Sequence, residues 1–306
     1  MTEPSARIAA QAKLNLHLRV LAREESGYHS IETVFHRIDL ADDILVEITD
    51  GERTIDVEGA ETGPAESNLA FRAASAYAEI AAWPKGFRIS LTKKIPVGAG
   101  LGGGSADAAG VLKILDCLSP QPLGEIALMA IGARLGADVP FLCNGAVMCF
   151  AWGHGDHMMP FPPLPRSDIL LMTPDFSVAT ADAYRWLDED RAAGKAASAS
   201  GEKRTTATES GPLLIDPWEL STWEGISRFA RNDFEPVIAA RHPELASYLD
   251  RLRNSRATFA QMTGSGSTIF GVLDSPPNYA KVPEEHLQRV TTTKTSIDVV
   301  QPQRVG

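Results

Sequence analysis

The stretch Pro96-Val-Gly-Ala-Gly-Leu-Gly-Gly-Gly-Ser-Ala-Asp-Ala-Ala109 is built to hold an anion. Five of its first nine residues are Gly, so the backbone bends freely and a ligand can approach the N–H groups closely. A strand-like segment, Gly86 to Ile95, precedes it, and an apolar helical segment through Leu118 follows. A helix start adds unpaired N–H donors and a positive dipole end, which favour phosphate. Gly98, Gly100 and Gly103 match G-x-G-x-x-G, but the loop follows a mostly β region, and no strand-end acid stands about 20 residues on, as a dinucleotide fold requires. No Lys stands in the Gly run, so it is not a Walker A loop. Phosphoryl transfer further needs charge neutralisation and a group to take the alcohol proton. Lys13 and Asp138 are of the right types, since a carboxylate beside a lysine stays ionised and can accept that proton.

The elements that must position these groups are legible in outline. From Ile8 to Val20 the even positions are apolar, and Gln11, Lys13, Asn15, His17 and Arg19 stand between them. This period-2 strand puts Lys13 and Asn15 on one face, which is solvated unless another part of the chain roofs it. Two strands, Ser30 to Leu40 and Asp43 to Thr49, are expected with a turn at Ala41-Asp42, then a weak strand from Arg53 to Val57. Leu69, Ala73, Ala76 and Ile80 fall at helical spacing after Ser67 or Asn68 as N-cap, and Pro84 and Gly86 end that helix. A buried helix from Ser105 to Leu118 is expected, capped by Ser105, then helices over Leu123 to Leu135 and from Asp138 onward. Ala146 to Ala151 is a strand, with a hairpin turn through Trp152-Gly-His-Gly-Asp156. Lys93 and Lys94 read as solvated strand-end charges with a lesser claim to phosphate steering.

Pro160-Phe-Pro-Pro-Leu-Pro165 marks the expected boundary between a domain over residues 1–160 and a second over 161–306. Beyond it come a strand at Asp168 to Met172, a helix over Thr180 to Leu187 and an aperiodic Ala/Ser/Thr/Gly/Lys-rich stretch, 192–211, read as a disordered insertion. Two helices, one after Arg231-Asn-Asp-Phe-Glu-Pro236 and one over His242 to Asn254, lead to strands flanking Thr263-Gly-Ser-Gly-Ser-Thr268. The polar tail from Pro276 is expected to fray.

The net charge of −10 and the lack of a Lys/Arg-dense run argue against nucleic acid and for a small-molecule partner. No leader-like N-terminus and no membrane-length apolar run is read. Cys117, Cys143 and Cys149 show no ligand spacing, so reduced thiols in a cytoplasm are expected. A monomer or weak homodimer is expected.

The block Pro96 to Ala109, together with Ala12-Lys-Leu-Asn-Leu16 and Thr263-Gly-Ser-Gly-Ser267, closely resembles the three ordered motifs of the GHMP kinases, which include galactokinase, homoserine kinase and mevalonate kinase. Gly27-Tyr-His29, Leu135-Gly-Ala-Asp-Val-Pro140, the triple Gly before Ser105 and Asn232-Asp-Phe-Glu235 resemble a narrower branch. Its substrate is an alcohol carried on a cytidine diphosphate, in the non-mevalonate isoprenoid route. The scattered blocks span residues 6 to 273.

The resemblance implies an α+β, two-domain GHMP fold with the site in the cleft between domains, and ATP with Mg²⁺ as cofactor. It implies Asp138 as general base with Lys13 as its partner. The ATP phosphates would lie on Pro96, Gly98, Gly100, Leu101, Gly102, Gly103, Gly104 and Ser105, and the adenine near Asn68 and Leu69. The substrate alcohol would meet Asn15, and the cytosine Tyr28, His29, Thr180 and Tyr184, with Gly264, Ser265 and Gly266 facing the same cleft. Ala179-Thr180 departs mildly from the family pattern. No protein metal ligand is assigned, and Asp107 is declined as one because an acid in a first helical turn is favourable anyway. Read alone, Asp138 before Val139-Pro140 is a helix N-cap, and Tyr28 and His29 read equally well as rings on a sheet edge. Another GHMP small-molecule kinase, a nucleotide-dependent oxidoreductase and a non-catalytic nucleotide-binding regulator are the alternatives.

Overall fold

The computed structural model describes residues 3–25, 27–194, 217–254, 257–273 and 287–305. Two antiparallel strands dominate it. β1 (Ser5–Arg23) pairs with β2 (His29–Thr49) from Ser5↔Glu47 to Arg23↔His29. β2 is one strand through residues 41 and 42, not two strands and a turn. Its continuity is imposed from both sides: Ala41 and Asp42 pair with Gln11 and Ala10, and Asp43 onward pairs with β4 (Gly86–Thr92). Tertiary pairing thus overrides the local turn signal of Asp.

β3 (Arg53–Glu58) adds parallel to β4, while β5 (Met148–Gly153) pairs with β2 and with β6 (His157–Phe161). Among the described residues, the second sheet has the order β10-β7-β9-β8, all antiparallel. Its strands are β7 (Asp168–Pro174), β8 (Ala257–Met262), β9 (Ile269–Leu273) and β10 (Leu287–Lys294). The tail therefore does not fray as a whole, because Leu287–Lys294 completes this sheet and β11 (Gln303–Val305) returns to pair with β1. The stretch 192–211 falls mainly outside the described residues; its first residues, through Gly194, end a helix and its turn.

Helices cover the large sheet. α1 (Leu69–Ala81) is capped by Asn68, whose Oδ1 accepts from Ala70 N–H at 2.9 Å. α2 (Gly103–Leu118) starts two residues earlier than expected, with Gly102 at its N-cap and no side-chain cap. Ser105 is thus inside the first turn and is not the cap. Gly110 lets α2 sit on the sheet, since a Cβ there would lie 2.8 Å from Ile44. α3 (Glu125–Ala133) and α4 (Val139–Cys143) follow. One large apolar core lies under α1 and α2, and a second gathers around the small sheet with α5 (Thr180–Ala192), α7 (Glu235–Arg241) and α8 (Pro243–Arg253). A short α6 (Trp223–Phe229) precedes α7.

Candidate active site

The polar face of β1 is roofed. Lys13 and Asn15 are 2% and 3% exposed, and β-bulges on either side re-aim them. The roof is the two Gly loops. Thr263 Oγ1 accepts from Asn15 N–H at 2.9 Å, Lys13 N–H donates to Leu101 O at 3.1 Å, and Thr268 N–H donates to Ala99 O at 3.2 Å. The loops meet backbone to backbone. A Cβ on Gly100 would lie 2.3 Å from Thr263 O, and one on Gly264 2.9 Å from Gly100 O, with φ of 79° and 59° at these residues. Only Gly fits such a crossing. Gly100→Ala should therefore lower stability by about 1–3 kcal/mol through its backbone alone and raise KM for ATP. Thermal unfolding and steady-state kinetics on one preparation would check both.

Lys13 is the hub. Its ammonium donates to Asn15 Oδ1 at 2.7 Å and Gly100 O at 2.9 Å, and lies 3.3 Å from Asp138 Oδ2. All three N–H donors are thereby directed. Asn15 Nδ2 in turn donates to Thr33 Oγ1 at 2.8 Å. Asp138 stands at the N-cap position of α4, yet its side chain caps nothing. The carboxylate is left to Lys13 and to the cleft. Gly102 is small for the same reason, since a Cβ there would press on the Lys13 stem at 3.0 Å and lie 3.4 Å from Asp138 Oδ2.

The Gly stretch from Pro96 to Ser105 lies against this pair. Leu101 is fully buried and anchors it, Pro96 and Gly103 are half-buried, and Gly98 and Gly104 are exposed. The Ser105 hydroxyl lies close to Gly136 and has no hydrogen bond among the described residues. Leu69 reaches Gly104, bringing the start of α1 to the loop. Asn68 is committed to its cap and to Thr62 Oγ1 at 3.1 Å. Lys93 is a correction: it is buried, not solvated, and donates to Asp42 at 2.5 Å and Asp107 at 2.6 Å directly beneath Gly103. Lys94 is exposed and pairs with Asp43 at 2.5 Å.

A second group of side chains adjoins the first. His29 Nε2 lies 2.8 Å from Asp188 Oδ1, and its ring stacks on Tyr184 with centroids 4.7 Å apart. Tyr184 is held edge-on by Phe234, and burial together with the charge of Asp138 pushes its phenol up to about 12. Tyr28 is 67% exposed, with its ring 5.4 Å from that of His154. Thr180 and Ser265 join their hydroxyls at 3.0 Å, linking α5 to the second Gly loop. These side chains thus follow one another from the Gly stretch past Lys13 and Asp138 to Tyr184 and His29. In this arrangement Tyr184 faces His29 and not Tyr28.

Sequence reasoning missed several supports. Asn232 Nδ2 donates to Met262 O and Gly264 O, both at 2.8 Å, and so holds the second Gly loop. Asp188 holds His29. The signal for Asn232 was present in Asn232-Asp-Phe-Glu235, whereas Asp188 lies in an ordinary amphipathic helix and had none.

A Gly-rich loop that opens a helix and is crossed by a second Gly turn, with a buried lysine paired to a half-buried carboxylate beside it, is the arrangement of a small-molecule kinase. The chain belongs to the GHMP kinases: the GHMP kinases N terminal domain matches residues 68–146 and the GHMP kinases C terminal domain matches 220–288. The relatives it resembles carry a more particular name. A 4-diphosphocytidyl-2-C-methyl-D-erythritol kinase of Solibacter usitatus is 37% identical over 273 residues, covering 89% of this chain and 82% of that protein. One of Geobacter is 36% identical, covering 87% and 89%. A crystal structure of 4-(cytidine 5'-diphospho)-2C-methyl-D-erythritol kinase superposes with a TM-score of 0.73 at 33% identity, over 94% of this chain and 98% of that one. Homoserine kinase from Cytophaga hutchinsonii shares the fold, with a TM-score of 0.65 at 17% identity over 98% and 97%.

Proposed function

We propose that this chain transfers the γ-phosphoryl group of ATP to the 2-hydroxyl of 4-diphosphocytidyl-2-C-methyl-D-erythritol. The observation that carries the reading is the adjacency of the Lys13–Asp138 pair to both the phosphate stretch and the His29–Tyr184 pair. The backbone N–H groups of Gly100 to Gly104 and the start of α2 receive the phosphates. Asp138 accepts the hydroxyl proton as the oxygen bonds to phosphorus and ADP departs. Lys13 orients that carboxylate and ties it to Gly100 O, so base and phosphate loop move as one unit. Asn15 holds Lys13 and borders the alcohol.

Magnesium bound to the nucleotide would neutralise charge between its phosphates. The residues fit a metal of that kind. The Ser105 hydroxyl, which has no hydrogen bond among the described residues, would be the side chain to hold it, with phosphate and water as its other ligands.

The other end of the cleft reads the base. With Nε2–H directed at Asp188, His29 Nδ1 would accept from the amino donor of cytosine. Aromatic stacking there is worth about 1–3 kcal/mol per base, which gives Tyr28 and Tyr184 their roles, and Thr180 and Ser265 line the approach. Asp188→Asn should therefore raise KM for the cytidine substrate about tenfold, as loss of a charge-assisted bond implies, while KM for ATP stays unchanged. The three unpaired cysteines suit a reducing cytoplasm. The overall reading is tested by ADP release with the cytidine-diphosphate substrate, homoserine and mevalonate. Turnover should be confined to the first, and turnover of either other alcohol at a comparable kcat/KM would replace it.

A further inference from the structure

We propose that the cleft beneath the C-terminal segment is a second ligand site, taking a small organic anion, a phosphate or carboxylate on a short apolar body, on the ammonium of Lys113. The site is separate from the kinase cleft and does not depend on the substrate reading above. Lys113 lies about two helical turns beyond Ser105 on α2.

Residues 296–305 cross the outer face where α2 meets β1. Gln11 holds this segment through Ser296 Oγ, Asp298 O and Val300 N–H, at 2.9, 3.1 and 3.0 Å. Arg304 Nη2 donates to Cys117 O at 2.7 Å. A cleft of about 310 Å³ remains under Gln301 and Pro302, within the range of small-molecule pockets. Leu128 and Pro302 form apolar wall, and Lys113 lines this cleft and the smaller hollow behind it.

The charges there are incomplete. Among the described residues the Lys113 ammonium has neither a hydrogen bond nor an ion pair. Arg37 (β2) faces it and spends Nε and Nη2 on the carbonyls of Ala146, Phe141 and Asn144, leaving Nη1 without a protein acceptor. Glu125 (α3) and the Cys143 thiol (α4) are the other groups facing Lys113, and burial pushes that thiol up to about 12, so it stays neutral. Asp116 is already held by the Tyr77 hydroxyl and Leu123 N–H. Lys113 is half-buried and lines the cleft, and no protein carboxylate forms an ion pair with it among the described residues, so an anion in the cleft would give it a direct partner. Burial first, then Arg37, lowers the Lys113 amine to about 7. A bound anion would oppose both effects and draw in a proton. Glu125 disfavours negative charge at its end of the cleft, which leaves the Leu128–Pro302 wall for the apolar body.

The test is calorimetric titration of the full chain, its kinase cleft filled with a non-hydrolysable ATP analogue, with phenyl phosphate, phenylacetate and inorganic phosphate from pH 6 to 9. At least one phenyl compound should bind one-to-one with proton uptake, and its Kd should weaken about tenfold per pH unit above 7, as the protonated amine becomes scarce. Tighter phenyl phosphate assigns a phosphate ligand and tighter phenylacetate a carboxylate. Lys113→Met should abolish binding while keeping ATP affinity and the unfolding midpoint. Lys113→Arg should retain binding and lose its pH dependence. Absence of binding by all three probes, or equal binding to Lys113→Met, overturns the proposal.

Discussion

Asp138→Asn should lower kcat by about 10²–10⁴-fold, the usual contribution of a positioned general base, with ATP affinity close to that of the parent protein. The substitution keeps the shape of the side chain and its place before α4, where it caps nothing, so folding is not at stake. What it removes is the proton acceptor and the charge 3.3 Å from Lys13. Single-turnover ADP formation separates this from a defect in binding. If the variant retains turnover within a few-fold, the alcohol loses its proton without Asp138, and the site works by positioning and charge alone. Lys13→Met should differ in kind. It unties Gly100 O and Asn15 as well as Asp138, so ATP affinity and thermal midpoint should fall together with kcat.

The largest loss of stability is expected from Lys93→Met, about 3–5 kcal/mol in a urea melt, the cost of removing one partner from a buried ion cluster. Asp42 and Asp107 would remain facing each other beneath Gly103 with their shared cation gone. Asp42 also accepts from the N–H groups of Lys94 and Ile95 at 2.5 and 2.8 Å, so the cluster holds the strand end that feeds the phosphate stretch. A loss under 1 kcal/mol would mean that water reaches the cluster.

The same cluster sets a pH dependence. Burial first, with Asp42 adding its charge against the pull of Lys93, raises Asp107 to about 7, and its Oδ1 has no partner. A carboxyl whose folded value is raised takes up a proton on folding. Its contribution is complete below about pH 4 and is lost as pH rises to about 7. Asp107→Asn should therefore flatten the fall in unfolding free energy between pH 4 and 7, and a steeper fall in the variant would reverse the assignment.

Some of this was legible locally because it is a matter of backbone. The Gly stretch and the second Gly turn announce themselves, since left-handed conformations and close chain crossings need Gly at positions such as 100 and 264. The alternation of β1 placed Lys13 and Asn15 on one face, and the cap of α1 was narrowed to Ser67 or Asn68, of which Asn68 caps it. Other features were not legible. Lys93 and Lys94 are chemically alike neighbours just past the end of β4, yet one is buried between two carboxylates and the other lies outside on Asp43. The acids that receive them, at 42, 43 and 107, are distant in sequence. Ala41-Asp42 looked like a turn, and only pairing to β1 straightened it.

What the sequence by itself determined is a GHMP-type chain, and it singled out Lys13 and Asp138 as the pair proposed to react, because short motifs encode backbone shape and residue chemistry directly. The tertiary structure alone decided that the polar face of β1 is buried under two crossed Gly loops, that Asp188 holds His29, and that the C-terminal segment forms a strap over Lys113. Burial and partnership are properties of segments tens to hundreds of residues apart, and no local pattern carries them.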